Sequence, residues 1–197
     1  MTAAVSSEHA GRAIGAMFFA FFGAAWLAWW SLEQFDGAIL PILIAIGTGG
    51  VAILLLALRQ FLRNRAALAG HAETPYSRRA KRVFNLVNAV QWVTIVLTVL
   101  VLANTGHADW IRVAIIFIVG AHFLPLAAVF RYRWHYVTGG ALVVLAMVYP
   151  FLTPAGPLNP IGLLGAGTIL WASALVAVVP QFRGAPQEGL ATRDKGA

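Results

Sequence analysis

One histidine stands apart from the other ionisable side chains because of its surroundings. His122 lies in the apolar run GAHFLPLAAVF, and Pro125 follows three residues later. Proline has no amide proton, so in a helix the carbonyl of Ala121 would lack its usual partner and the helix should kink there. A titratable imidazole beside such a carbonyl could bind a proton or a cation. It could equally donate a hydrogen bond to a neighbouring helix and stabilise the fold.

A second set of polar side chains recurs at helical spacing. At 3.6 residues per turn, these amides and hydroxyls occupy about one third of a helix circumference. The set comprises Asn88, Gln91, Thr94 and Thr98. Such a polar stripe either lines a path or small cavity for a solute, or forms hydrogen bonds between helices worth about 0.5–2 kcal/mol each. The sequence leaves both interpretations open.

Two Thr-Gly-Gly triplets suggest further candidates. Thr48, Gly49 and Gly50 lie near the middle of one apolar run, whereas the triplet 138–140 lies near the start of another. Glycines allow helices to approach closely, but clustered glycines can also break a helix and free carbonyls that coordinate a solute. The recurrence would fit an inverted repeat of three plus three helices. The different depths of the two triplets argue against that repeat.

The elements that position these residues follow from composition. The chain of 197 residues is 60% hydrophobic and 11% charged, with a mean hydropathy of +0.78. A membrane-spanning helix needs roughly 20 apolar residues, and six runs qualify. They are residues 13–32, 38–58, 83–103, 111–130, 134–152 and 161–182. Such runs must be helical, since every amide needs an internal partner in lipid. We predict an all-α integral membrane protein, one domain over residues 1–197 with six transmembrane helices.

The basic residues predict the orientation of these helices. Of the 14 Lys and Arg residues, all but Arg112 fall on one side of a six-span bundle, and half lie in the connection 59–82. The positive-inside rule then places both termini, this connection and a flexible tail at 183–197 in the cytoplasm. The net charge of +7 is explained by anionic lipid headgroups, without nucleic acid. We expect a multi-pass protein of the cell membrane, the inner membrane if the source is bacterial.

Glu33 and the aromatic residues of the first run are the remaining candidates for binding. Glu33 should mark the outer mouth of the bundle, where it could attract cations or simply be solvated. Arg112 should reach the outer surface or pair with Glu33, Asp36 or Asp109. An aromatic face could stack on a flat apolar ligand, or pack against lipid and the protein core. That face comprises Phe19, Phe22, Trp26 and Trp30.

The same inventory argues against an enzyme. With no cysteine, thiol catalysis and disulfides are excluded. We find no acidic pair for hydrolysis and no glycine-flanked serine nucleophile. A metal site or a bis-histidine haem needs further ligands at the depth of His122. The other four histidines should all lie at or beyond an interface, and they are His9, His71, His107 and His135. We therefore expect no catalytic residue, metal or cofactor.

Two functions from different classes remain. The first is a permease or channel for a small solute or ion, with proton coupling through His122. Its path would run between the polar stripe, the glycines of the second and sixth spans, and His122. The alternative is a membrane scaffold, or a protein that binds lipid or another hydrophobic ligand without transporting it. A homo-oligomer would allow the path to lie at a subunit interface.

Overall fold

A computed structural model describes residues 3–37, 39–69, 75–130 and 132–178. The described residues form six α-helices and two short 3₁₀ turns, without a strand, so the all-α prediction is confirmed. The helices are α1 Ala3–Gln34, α2 Leu40–Ala69, α3 Pro75–Asn104, α4 Ile111–Phe130, α5 Trp134–Leu152 and α6 Ile161–Val178, and the turns are Ala108–Trp110 and Gly156–Leu158. By length and composition, all six α-helices can cross a membrane.

The observed helix ends agree with the limits of some apolar runs in the sequence and extend beyond those of others. Helices α4 and α5 begin and end where the apolar runs do, whereas α1, α2 and α3 continue well into polar sequence. Backbone hydrogen bonding does not need apolar side chains, so helices can extend past the hydrocarbon length. The basic connection 59–82 is therefore largely helical. Its centre at 70–74, the end of the sixth run at 179–182 and the tail at 183–197 lie outside the described residues.

The main contacts place the six helices in the order α2, α1, α6, α5, α4, α3. Helix α1 packs against α2 and α6, α6 against α5, α5 against α4, and α4 against α3. In the part of the chain that the structure describes, α2 and α3 do not pack extensively on each other. No residue of α3 between Arg78 and Asn104 is buried. Helix α3 is therefore an edge helix that depends on α4 for its packing.

Contacts between the connections show that the helices alternate in direction. At one end, Arg112 at the start of α4 bonds to Glu33 near the end of α1 and to the carbonyl of Leu158 between α5 and α6. At the other end, the guanidinium of Arg12 lies 4.9 Å from the ring centroid of Tyr132, which connects α4 to α5. This is the arrangement expected of an up-and-down bundle of six helices.

Glycine allows the closest helix crossings. A Cβ atom on Gly120 of α4 would lie 2.9 Å from the carbonyl oxygen of Gly139 on α5, and one on Gly139 would lie 2.7 Å from that of Gly120. Gly23 of α1 and Gly167 of α6 approach each other in the same reciprocal way, at 3.1 and 2.9 Å. Backbone atoms cannot move aside as side chains do, so these four positions require glycine.

Candidate functional site

His122 lies on α4, which is helical on both sides of Pro125. Its half-buried imidazole is bonded through Nδ1 to the carbonyl oxygen of Val119 in the same helix, at 2.6 Å. A carbonyl only accepts hydrogen bonds, so Nδ1 carries the proton and Nε2 of the neutral ring is the basic nitrogen. The hydrogen-bond partner of His122 is thus the carbonyl of Val119. It is not the carbonyl of Ala121, which lacks its usual partner because Pro125 has no amide proton. One nitrogen of His122 remains open to a proton.

His122 lies on a half-buried flank of α4. It shares this flank with Ile115, Ile118 and Val129, which are half-buried as well. Helix α5 packs on a different face of α4, through Gly120. Since α3 is the other main neighbour of this part of α4, the half-buried flank is turned towards it.

The polar stripe faces α4. Asn88, Gln91 and Thr98 are half-buried on the packed side of α3, whereas Thr94 at the edge of the stripe is exposed. The rings of Phe84 and Phe130 meet with centroids 5.9 Å apart, which sets the register of the two antiparallel helices. Gln91 lies seven residues after Phe84 on α3, and residue 123 lies seven residues before Phe130 on α4. Because the helices are antiparallel, Gln91 lies at the depth of residue 123, next to His122. We call the region containing Asn88, Gln91, Thr98 and His122 the α3–α4 seam.

The stripe does not bind other helices through hydrogen bonds. Within the described residues, Asn88 donates to the carbonyl of Phe84 on its own helix, at 3.1 Å, and the side chains of Gln91, Thr94 and Thr98 form none.

A hydrogen bond between helices does occur elsewhere in the bundle. The hydroxyls of Thr138 on α5 and Ser173 on α6 lie 2.8 Å apart. Each hydroxyl also lies within hydrogen-bonding distance of a carbonyl oxygen of its own helix. Hydrogen bonds between helices thus occur outside the seam, as between α5 and α6, while the seam retains polar groups that could bind water or a solute.

The candidates on α2 are not brought to the seam. Thr48 is exposed, and α2 runs without a break through Gly49 and Gly50. A Cβ atom on Gly49 would lie 2.8 Å from the ring of Trp171, and one on Gly50 would lie 3.6 Å from it. These glycines make room for an indole from α6. Their position on α2 separates them from His122, because α2 packs against α1 and α6.

Glu33 forms the predicted ion pair with Arg112. Its Oε1 accepts hydrogen bonds from Nη2 of Arg112 at 2.7 Å and from Nε1 of Trp29 at 2.9 Å. The guanidinium also lies 5.6 Å from the ring centroid of Trp29 and donates to the carbonyl of Leu158. The carboxylate of Glu33 thus accepts from two donors and links the connections at this end of the bundle. This end lies far from the end of the seam where Phe84 and Phe130 meet.

The aromatic face of α1 is divided among different neighbours. Phe19 is buried against Phe123, with centroids 5.3 Å apart. Trp26 stacks on Trp29, and Trp30 packs against Phe35. Phe22 is exposed. The four predicted residues therefore do not form one continuous stacking surface for a flat ligand.

His135 was predicted to lie in an anchor at the interface, and the structure adds that its ring packs against other helices. It lies in the first turn of α5, but its ring packs inward at 5.8 Å from Phe123, 6.0 Å from Phe19 and 4.9 Å from Tyr132, measured between centroids. Its Nδ1 is buried and has no hydrogen-bond partner. The signal was present in the sequence, because His135 precedes the buried Leu142 by seven residues and so shares its face of α5.

Gln60 is a second polar residue that the sequence analysis missed. It is 5% exposed on α2, and its Oε1 has no hydrogen-bond partner. It continues the buried series Gly50, Ile53 and Ala57 at steps of three or four residues. In the described part of the chain, no group of three or more His, Asp or Glu side chains is placed to hold a metal ion.

Comparison with known proteins assigns no family to this arrangement. No family model matches the chain, and neither a curated protein nor a solved structure matches it. The functional argument therefore depends on the geometry of the bundle.

Proposed function

We propose that the chain is an integral membrane protein that conducts a small solute or ion along the α3–α4 seam, and that the proton is the ion to test first. His122 would bind the proton, and Asn88, Gln91 and Thr98 would hold water or solute beside it. Both termini and the basic connection would face the cytoplasm, as the positive-inside rule requires.

The observation that carries this proposal is the unused hydrogen-bonding capacity of the stripe. Amides and hydroxyls in a membrane helix usually bond to a neighbouring helix or to their own backbone. Gln91 and Thr98 do neither among the described residues, although both are turned towards α4. Polar groups in lipid are costly unless they face a partner or water. A hydrated path beside His122 supplies such partners.

The surface of α3 supports placement in a membrane. Large apolar side chains cover the side of α3 that faces away from α4. They include Val90, Trp92, Val93, Leu97, Leu100 and Val101, each more than half exposed. Exposed apolar surface on this scale is unfavourable in water and suits contact with acyl chains. At the proposed cytoplasmic end, the exposed Arg63, Arg78 and Arg82 suit anionic headgroups.

Proton flux into proteoliposomes tests the proposal. The purified protein would be reconstituted with a pH-sensitive dye inside, and a potassium diffusion potential would drive protons inward. We expect flux above that of empty liposomes in the unmodified protein, and a loss of most of it, with a changed pH dependence, in His122→Ala. His107→Ala is the matched control, because His107 is an exposed histidine between α3 and α4.

Two outcomes would contradict the proposal. Equal flux and an equal pH profile in the unmodified protein and His122→Ala would show that His122 is not on the path. Flux no greater than that of empty liposomes, for protons and for small ions and solutes tested in the same way, would favour the scaffold or ligand-binding alternative.

A further inference from the structure

His135 is a half-buried ionisable group that the proposed path does not yet use. Its ring is enclosed by Phe19 of α1, Phe123 of α4 and Tyr132. Buried polar atoms nearly always have a hydrogen-bond partner, and an exception calls for an explanation such as a bound water or a role in chemistry. Nδ1 of His135 is such an exception.

The second imidazole lies near the first. Phe123 is the residue after His122, and its ring is stacked on that of His135 at 25° between planes. Both imidazoles contact the ring of Phe123, that of His122 at 4.1 Å and that of His135 at 5.8 Å between centroids. Beyond His135, Tyr132 packs edge-on against its ring, and Arg12 lies over Tyr132 at the end of the bundle. Contacts between neighbouring rings thus lead from His122 through Phe123, His135 and Tyr132 to the end of the bundle where Arg12 lies.

We propose that His135 is a second proton-binding residue, which exchanges protons with His122 and connects the seam to the end of the bundle where Tyr132 and Arg12 lie. The inference rests on the proposed proton path through His122. It adds a position to that path and gives the path a cytoplasmic exit.

The transfer needs only the two imidazoles and water. Protonated His122 has a proton on both nitrogens, and the one on Nε2 leaves through bridging water molecules to an unprotonated nitrogen of His135. The positive charge moves with the proton, and no bond to carbon changes. Because an imidazole can accept a proton on one nitrogen and release one from the other, His135 can pass a proton on to water.

Few other charged groups face His135. Tyr132 and, behind it, Arg12 lie towards the end of the bundle, and His122 lies towards the centre. Helix α6, which packs on α5, has no ionisable side chain between Ile161 and Val178. Burial raises the pKa of Tyr132, against the opposing effect of Arg12, so its phenol is neutral at neutral pH. The charged Arg12 lies behind Tyr132, and the exposed Arg133 precedes His135 by two residues.

Substitutions that keep the ring but remove its basicity test this role. His135→Phe retains an aromatic ring against Phe123 and Tyr132 and removes both nitrogens. We expect proton flux to fall at least about tenfold, as for loss of a proton-transfer group, and its pH dependence to change. His107→Phe is the matched control and should behave as the unmodified protein. His135→Gln, which is polar but cannot titrate in this range, should fail in the same way as His135→Phe.

Chemical rescue separates proton transfer from packing. In His135→Ala, added imidazole should restore part of the flux, whereas pyrazole, a ring of the same size and far weaker basicity, should not. Equal rescue by both compounds would assign His135 a packing role and overturn the inference. Unchanged flux in His135→Phe together with lost flux in His122→Ala would also overturn it, while the proposed function would stand. Unchanged flux in His122→Ala would contradict the proposed function itself.

A measurement on the unmodified protein covers the case in which the variants do not fold. With ¹⁵N-labelled histidine rings, the two imidazoles should titrate as a coupled pair, because protonation of one disfavours protonation of the other. Two independent single-site titrations would overturn the inference.

Discussion

The indole Nε1 of Trp171 on α6 donates a hydrogen bond of 3.1 Å to the carbonyl oxygen of Ala20 on α1. The ring that makes this bond lies in a space formed by Gly23 of α1 and by Gly49 and Gly50 of α2. One side chain therefore joins three helices. The glycines of α2, which the sequence offered as a possible break in the helix, allow this close packing.

Gly23→Ala should destabilise the bundle by about 1–3 kcal/mol, as expected for overpacking. The added Cβ would clash with Cδ1 of Trp171 and would lie 3.1 Å from the carbonyl oxygen of Gly167. Gly15→Ala on the same helix has nothing within 4 Å and should be neutral or slightly stabilising. Unfolding of both variants in detergent, followed by circular dichroism, compares them. Equal stability of the two would mean that Trp171 does not occupy this space.

The Thr-Gly-Gly triplet of α5 contains its own control. Gly139→Ala would place a Cβ 2.7 Å from the carbonyl oxygen of Gly120, a backbone atom, whereas Gly140→Ala meets nothing within 4 Å. We expect a loss of stability of about 1–3 kcal/mol for the first variant and none for the second. The same detergent unfolding measures both. If Gly140→Ala were the more harmful, the assigned crossing of α4 and α5 would be wrong.

Glu33→Gln should change stability and leave flux intact. The ion pair with Arg112 is partly exposed, at 18% and 31% of the two side chains, so it should contribute no more than about 1 kcal/mol. A double-mutant cycle with Arg112→Gln measures that coupling, and Asp36→Asn serves as the exposed control. Flux measured in the same preparations decides the role of the carboxylate. A large loss of flux in Glu33→Gln alone would place Glu33 on the path.

Hydropathy and helical periodicity predicted the six helices and the composition of the polar stripe. They could not show that α3 is an edge helix, because the neighbours of a helix depend on residues far away in the chain. The role of Gly49 is a clear case, since it depends on Trp171, which no local pattern connects to it. His135 was assigned to a headgroup anchor because Arg, Trp and Tyr surround it in sequence. Its spacing from Leu142 indicates the inward packing of its ring, which the anchor assignment does not describe.

Tyr132 should make the protein more sensitive to alkali. Burial raises the pKa of its phenol above the ordinary value of 10.0, and Arg12 opposes this. A raised pKa stabilises the fold below pH 10.0, and this contribution is lost as the pH rises through the pKa of the folded state. Tyr132→Phe should therefore lose less stability than the unmodified protein between about pH 8 and about pH 11. Thermal unfolding across this range measures it, with the exposed Tyr136→Phe as control. Identical alkaline behaviour of both variants would refute the assigned burial.

Gln91→Leu distinguishes the two interpretations of the polar stripe. If Gln91 stabilised the bundle by bonding to another helix, its loss would cost about 0.5–2 kcal/mol. The structure shows no such bond within the described residues, so stability should be unchanged, or slightly higher because an apolar side chain suits the membrane better.

Flux supplies the second half of this test. Gln91→Leu should lose flux, since the seam would lose a polar group at the depth of His122. Thr168→Val on the exposed face of α6 is the control, because Thr168 bonds to its own helix and lies away from the seam. A destabilised variant with normal flux would assign the stripe to helix association and remove the main support for the path. A stable variant without flux is the combination that helix association cannot produce.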